Sequence, residues 1–116
     1  MKYSYDFAVI EDKIPMIDFL DSLSIKERAK VYACMDKLIE LKNAGIQPKE
    51  SLSKPVVEDI FELRIHFDNR IARSLYFYER NRRVIFTHGF IKKTDKTPKR
   101  EIEKSKQIMA AWRAAK

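Results

Sequence analysis

The sequence predicts an α+β domain in which a helical pair packs on one face of an antiparallel sheet. Three observations carry this prediction: two adjacent helical segments near the N-terminus, three alternating strand-like runs after them, and short polar turns between those runs. Helices followed by consecutive strands are typical of α+β folds, because every apolar helix stripe and sheet face needs a partner. With 45% hydrophobic residues among 116, we expect one packed domain over residues 1–116.

The N-terminal half is predicted to form one strand and a helical hairpin. Residues 3–11 (YSYDFAVIE) alternate loosely and are rich in aromatic and β-branched side chains, which favours a strand. The hairpin is expected over residues 14–45, with Pro15 opening its first helix and a glycine ending its second. Ser24 followed by Glu27 is the capping-box pattern that marks the start of the second helix.

The C-terminal half is predicted to form a β-meander and a last helix. Residues 46–58 are expected to be a loop, because two prolines in that stretch deny a helix. Three alternating runs follow, joined by short polar turns, which indicates antiparallel pairing. These runs cover residues 59–67, 71–79 and 83–93. The last helix should begin with Thr97 as its N-cap and Pro98 as its first residue, which gives the order β-α-α-β-β-β-α.

Positive charge is concentrated in the second half of the chain. The net charge is +7, with 24 Lys and Arg against 17 Asp and Glu. Residues 1–58 carry nine cations and ten anions, whereas residues 59–116 carry fifteen and seven. A neutral half joined to a cationic half predicts a scaffold with one face that binds a polyanion.

Several classes of protein are disfavoured by the sequence. No run approaches the roughly 18–20 apolar residues of a membrane span. Acidic residues interrupt the N-terminal segment before a signal-peptide core could form, so we predict a cytoplasmic protein. The carboxylates are scattered, and there is no glycine-rich phosphate loop, nucleophile elbow or HExxH motif. We therefore expect neither a metal site nor a cofactor.

Charged side chains alternate with apolar ones in the first predicted run of the meander. Glu62, Arg64 and His66 share one face, which is either a solvated surface or a functional one. The next run carries Arg73 among apolar residues, where a charge needs a partner or a wet groove. A hairpin would bring Arg64 and Arg73 together. The loop after the third run would add three cations, namely Lys92, Lys93 and Lys96.

This arrangement suits metal-independent cleavage of RNA. The planar guanidinium groups of Arg64 and Arg73 can clamp a phosphate, and cations stabilise the pentavalent transition state. Lys93, crowded by other cations, could act as a base, and either His66 or His88 could act as acid or base. The sequence leaves these three candidates open. Two cations farther along, Lys99 and Arg100, are expected inside the last helix, facing RNA or water.

One long stretch resembles a known family. Residues 61–109 contain ELR, then R-x-x-Y-F, then HGF-x-KKT-x-KTP-x-x-E-I, in the order found in the phage-derived HigB-like branch of the RelE/ParE toxin superfamily. The resemblance implies a RelE-like fold and a type II toxin that cuts mRNA in the ribosomal A site. It also implies a cognate antitoxin, often with a helix-turn-helix domain. On the family pattern, Arg64 and Arg73 are strand arginines, and Lys92, Lys93 and Lys96 are the basic groups after the last strand.

The chain departs from the best-known RelE pattern at its C-terminus. That pattern ends soon after a catalytic tyrosine or histidine, whereas here the basic loop leads into a helix that contains neither. The acid/base assignment therefore stays open among His66, His88 and Lys93. Two alternatives to an mRNA endonuclease also stand beside it. One is a ParE-like inhibitor of gyrase, and the other is an RNA-binding module that holds the backbone without cutting it.

Overall fold

The computed structural model describes residues 2–115 and shows a five-stranded sheet with helices on both faces. The elements are, in chain order, β1 (Ser4–Phe7), α1 (Pro15–Asp21), α2 (Ile25–Asn43), β2 (Ser53–Val57), β3 (Ile60–His66), β4 (Ile71–Glu79), β5 (Arg83–Ile91) and α3 (Lys99–Ala114). The strands lie in the order β1-β5-β4-β3-β2. β1 runs parallel to β5, and the other neighbours are antiparallel.

The predicted α+β class and the RelE-like arrangement are confirmed. β3, β4 and β5 form the expected antiparallel meander, and α1 and α2 pack together on one face of it. Pro15 is the first residue of α1, as predicted. The capping box also forms: the Glu27 amide donates to Ser24 Oγ, and the Ser24 amide donates to Glu27 Oε1, both at 3.1 Å. Gly45 follows α2 with φ +69°, the left-handed conformation of a helix stop.

The main core lies between the helical pair and the sheet. It is formed by apolar side chains of α1, α2 and the inner face of the strands, with a rim of half-buried aromatic rings. Its fully buried members include Met16, Leu20, Val31, Met35, Leu38, Leu63, Ile65, Tyr76 and Phe86. Because strand side chains alternate between faces, the residues between these members point to the opposite side of the sheet.

The prediction of a loop over residues 46–58 is wrong for its second half. Residues Ser53–Val57 form β2, which pairs with β3 and becomes an edge of the sheet. Pro55 is tolerated there because an edge strand has one side without ladder hydrogen bonds. The register shifts between Pro55 and Val57, so the pairing is irregular where the proline sits. The element order is therefore the predicted one with one strand added.

The second helical layer, α3, covers the other face of the sheet. A smaller apolar cluster joins Ile108 of α3 to strand residues such as Leu75 and Phe77. The predicted helix start is wrong by one residue, because Pro98 is the N-cap and Lys99 is the first helical residue. Thr97 does not cap α3; its hydroxyl instead bonds Glu62 and Arg73. Within residues 2–115, no helix combines the length and apolarity needed to cross a membrane.

Candidate functional site

Arg64 and Arg73 lie directly opposite each other on β3 and β4, as the sequence predicted. Like charges at opposed positions repel, so the pair needs an anion between them. Glu62 provides it: Arg64 Nε donates to Glu62 Oε2 at 2.8 Å, and Arg73 Nη1 donates to Glu62 Oε1 at 3.1 Å. Glu62 is fully buried, Arg73 is 1% exposed, and the Arg64 side chain is 23% exposed. Arg64 is therefore the member of the pair that reaches solvent.

The Arg73 guanidinium holds the loop that follows β5. Its Nη1 donates to Thr97 Oγ1 at 2.6 Å, and its Nη2 donates to the Asp95 carbonyl at 3.0 Å. Thr97 in turn donates to Glu62 Oε1 at 2.5 Å. In this structure, Arg73 thus fixes the position of the basic loop, while the loop covers Arg73.

Glu62 is ionised despite its burial. Burial opposes the charged form, but the hydrogen bonds from Thr97 and Arg64 and the charges of Arg73 and Arg64 outweigh it, so the pKa of Glu62 lies below its ordinary value. A carboxylate held by two guanidinium groups and a hydroxyl accepts protons poorly. Glu62 therefore serves to bind the cations and is unsuited to act as a general base at neutral pH.

A groove lies between the β3–β4 turn and the loop after β5. It has a volume of about 610 Å³ and is lined by residues 66–71 on one wall and residues 92–95 on the other. The Lys92 amide donates to the Ile71 carbonyl at 2.7 Å, which anchors the loop beside the turn. His66 and Lys93 are exposed in this groove, and Lys92 is half-buried. The structure thus brings three of the predicted site residues to one accessible surface.

His88 lies apart from this groove, beneath α3. It is 1% exposed, and its Nε2 lies 3.1 Å from Glu101 Oε1, while its Nδ1 lies 3.1 Å from Thr87 Oγ1. Burial lowers the pKa of His88 below its ordinary value; the charge of Lys104 acts in the same direction, and Glu101 opposes both. A β-bulge at Thr87 places the adjacent side chains of Thr87 and His88 on the same face of the sheet. Both therefore contact α3: His88 lies beside Glu101, and Thr87 Oγ1 lies 2.8 Å from Ser105 Oγ.

The remaining predicted cations are exposed. Lys96 lies in the loop near Arg73, and Lys99 and Arg100 lie in the first turn of α3. The Arg100 side chain is 80% exposed, with its Nε 3.6 Å from Glu101 Oε2. Such an exposed pair contributes little to stability. These three cations are therefore available to a partner at the surface.

Arg64, Arg73, Glu62 and Thr97 form one arginine network. Two of its members, Glu62 and Thr97, were not among the site residues predicted from the sequence. Glu62 was placed on the correct face by its alternation with Arg64, and this spacing was the available signal for it. Thr97 carried a competing signal, because a threonine before a proline and a helical run is also typical of an N-cap. Its bond to Glu62 joins residues 35 apart in the chain, so no local pattern reveals it.

Comparison with known proteins identifies a family. Residues 18–110 match the family described as "Phage derived protein Gp49-like (DUF891)". The match spans every residue of the arginine network, the groove and the basic loop. No curated protein matches the chain. Within the described residues, no three His, Cys, Asp or Glu side chains are grouped as metal ligands would be.

Proposed function

The chain belongs to the phage-derived Gp49-like family, a family of RelE-like toxins, and we propose that it is the toxin of a type II toxin–antitoxin system that cuts mRNA on the ribosome. One observation carries the catalytic part of this proposal. The cross-strand arginine network ends in a solvent-reaching guanidinium, Arg64, and positions a loop whose lysines share a groove with His66. This combination of phosphate-binding cations and a titratable ring suits phosphodiester cleavage.

The proposed reaction needs only the RNA and protein side chains. The 2′-oxygen loses its proton to a base and attacks the adjacent phosphorus, the bond to the 5′-oxygen breaks, and that oxygen takes a proton from an acid. The products are a 2′,3′-cyclic phosphate and a 5′-hydroxyl end. We assign His66 and Lys93 to the proton transfers, because both are exposed in the groove. His88 is buried against Glu101 and has no such access.

The two arginines receive different roles in this proposal. Arg64, together with Lys92 and Lys93, binds the phosphate and stabilises its added negative charge in the transition state. Arg73 is a positioning residue, because its Nη1 and Nη2 groups donate to Glu62, Thr97 and the Asp95 carbonyl. Lys96 in the loop, and Lys99 and Arg100 in the first turn of α3, are exposed and are proposed to contact the RNA backbone of the mRNA or the ribosome.

The proposal is tested by mapping 5′ ends of mRNA in a translating extract supplied with the purified protein. We expect new 5′-hydroxyl ends with the wild-type chain, and a loss of about 100-fold or more in rate for His66→Ala, in line with the usual contribution of a general acid or base. The matched control is Lys37→Ala, which removes an exposed charge from α2. Undiminished cleavage by a folded Arg64→Ala/Lys93→Ala variant would contradict the assignment.

The same experiment separates the alternative functions. Blocked supercoiling by gyrase with intact mRNA would indicate a ParE-like toxin, and binding to ribosomes without new 5′ ends would indicate a plain RNA-binding module. The proposed partners are the ribosome with its mRNA, in the cytoplasm, and a cognate antitoxin of the helix-turn-helix type. Repeating the mapping in cells with and without the product of the neighbouring gene tests the antitoxin.

A further inference from the structure

The unexpected strand β2 brings a further cation onto the face of the arginine network. Lys54 lies directly opposite Glu62 in the register of β2 and β3. Opposed residues of an antiparallel pair place their side chains on the same face, so Lys54 joins the face that carries Arg64 and Arg73. It is half-buried, and no hydrogen bond or ion pair of its side chain occurs within residues 2–115. The ammonium group of Lys54 is therefore not bound to any carboxylate among these residues.

Lys54 lines a small cavity between β2 and the basic loop. This β2–loop cavity has a volume of about 260 Å³ and lies between residues 54–56 of β2, Arg73, residues 95–97 of the loop and Ile102 of α3. Asp95 lines both this cavity and the larger groove that holds His66 and Lys93. The two spaces are therefore neighbours that share Asp95 in their walls.

The charges around the cavity are predominantly positive. Four cations belong to the network and the cavity wall, namely Lys54, Arg64, Arg73 and Lys96, against the two carboxylates of Glu62 and Asp95. Four positive and two negative charges give a local excess of +2. Glu62 is already shared between both arginines. An additional anion of one to two charges would balance this cluster.

Hydrogen-bond donors without an acceptor also surround the cavity. A guanidinium has five N–H donors, and three of those of Arg73 are used by Glu62, Thr97 and the Asp95 carbonyl. Arg73 Nε is buried and has no partner among the described residues. Lys54 and Lys96 also line the cavity, and each carries an ammonium group with three N–H donors. Charge and donors together match a phosphate group, which offers several acceptor oxygens.

We infer that the β2–loop cavity is a second phosphate-binding site, with Lys54 and Lys96 as direct ligands and Arg73 at its base. This inference rests on the proposed function for the identity of its ligand, a phosphate of the RNA strand. A strand crossing the loop at Asp95 would place one phosphate in the groove and a nearby one in the cavity. Lys54 then helps to position the RNA strand relative to His66 and Lys93.

The test measures binding of a short single-stranded RNA whose 2′-hydroxyls are methylated, so that no cleavage can occur. Removing one phosphate contact should lower the magnitude of the log–log salt slope by about 0.7. We expect Lys54→Ala to show this change and to weaken affinity about tenfold, the effect of losing one hydrogen bond to a charged group. Lys54→Arg, which keeps the charge, should restore most of the affinity. Lys49→Ala, an exposed lysine before β2, is the matched control and should change neither quantity.

Two further measurements decide the identity of the site. Inorganic phosphate should shift the NMR amide signals of Lys54 and Thr97 in the wild-type protein, and the Lys54→Ala variant should lose the response at Thr97. An unchanged salt slope in Lys54→Ala would overturn the inference, even if inorganic phosphate binds, because the site would then hold a free phosphate and not the RNA strand. If the wild-type protein shows these binding results but does not cut mRNA, the proposed function is contradicted and the inferred phosphate site is not.

Discussion

Gly89 of the HGF motif permits a close approach between β5 and α1. A Cβ atom built on Gly89 would collide with the Phe19 ring: Cδ2 would be its nearest neighbour, Cε2 would lie at 2.6 Å and Cγ at 2.9 Å. Phe19 is 9% exposed and sits in the main core, so the ring has little room to move. Glycine in a strand ordinarily costs about 0.5–1 kcal/mol relative to alanine, whereas overpacking a core costs about 1–3 kcal/mol. We therefore expect Gly89→Ala to lower the free energy of unfolding by roughly 1–2 kcal/mol.

The sign of this effect makes the prediction testable by urea denaturation. In a Phe19→Leu background the smaller side chain leaves space for the new methyl group, so the same Gly89→Ala change should cost at least 1 kcal/mol less, roughly within the range of couplings between touching residues. Gly45→Ala serves as control, because Gly45 has φ +69° and no atom within 4 Å of the built Cβ. Its cost should be the same in both backgrounds. A Gly89→Ala variant that is more stable than the wild type would refute the packing argument.

Three further predictions concern the caps and the buried polar groups. Ser24→Ala should lower the free energy of unfolding by about 1 kcal/mol in urea denaturation, because the Glu27 amide loses its acceptor. The folded protein disfavours protonated His88, so stability should fall as pH drops below the ordinary histidine pKa of about 6.5, and His88→Gln should flatten the pH dependence of the urea midpoint in that range. Thr97→Val should lower the free energy of unfolding by about 1–2 kcal/mol in urea denaturation, because Glu62 loses a donor and Arg73 loses an acceptor; an unchanged free energy of unfolding would contradict this role of Thr97.

The arginine pair was predictable from sequence because its geometry is local. Strict alternation in β3 assigned Arg64 to a face, and a short turn to β4 required residues equally distant from that turn to oppose each other. The capping box of α2 was predictable for the same reason, since its two partners lie three residues apart. In both cases, the interaction that forms the feature spans a short loop or a single helical turn.

The features that were missed depend on contacts between distant segments. β2 has too few alternating residues to indicate a strand by itself, and it gains its hydrogen bonds from β3. The packing of α3 on the sheet could not be predicted from its apolar residues, because its buried face includes the polar residue Ser105. Ser105 is buried because the Thr87 hydroxyl of β5 lies opposite it. A polar residue can thus belong to a core when its partner lies on another element.

The buried charge of Arg73 explains why the basic loop has a defined position. A guanidinium taken out of water must be paired and hydrogen-bonded, or it destabilises the fold by several kcal/mol. Glu62 supplies the opposite charge, but it is shared with Arg64, so Arg73 recruits Thr97 and the Asp95 carbonyl as further acceptors. The loop is drawn onto the sheet by this requirement. The burial of Arg73 in β4 therefore determines where the lysines of the loop lie relative to Arg64. The position of the proposed binding surface thus depends on the hydrogen bonds of a buried side chain beneath it.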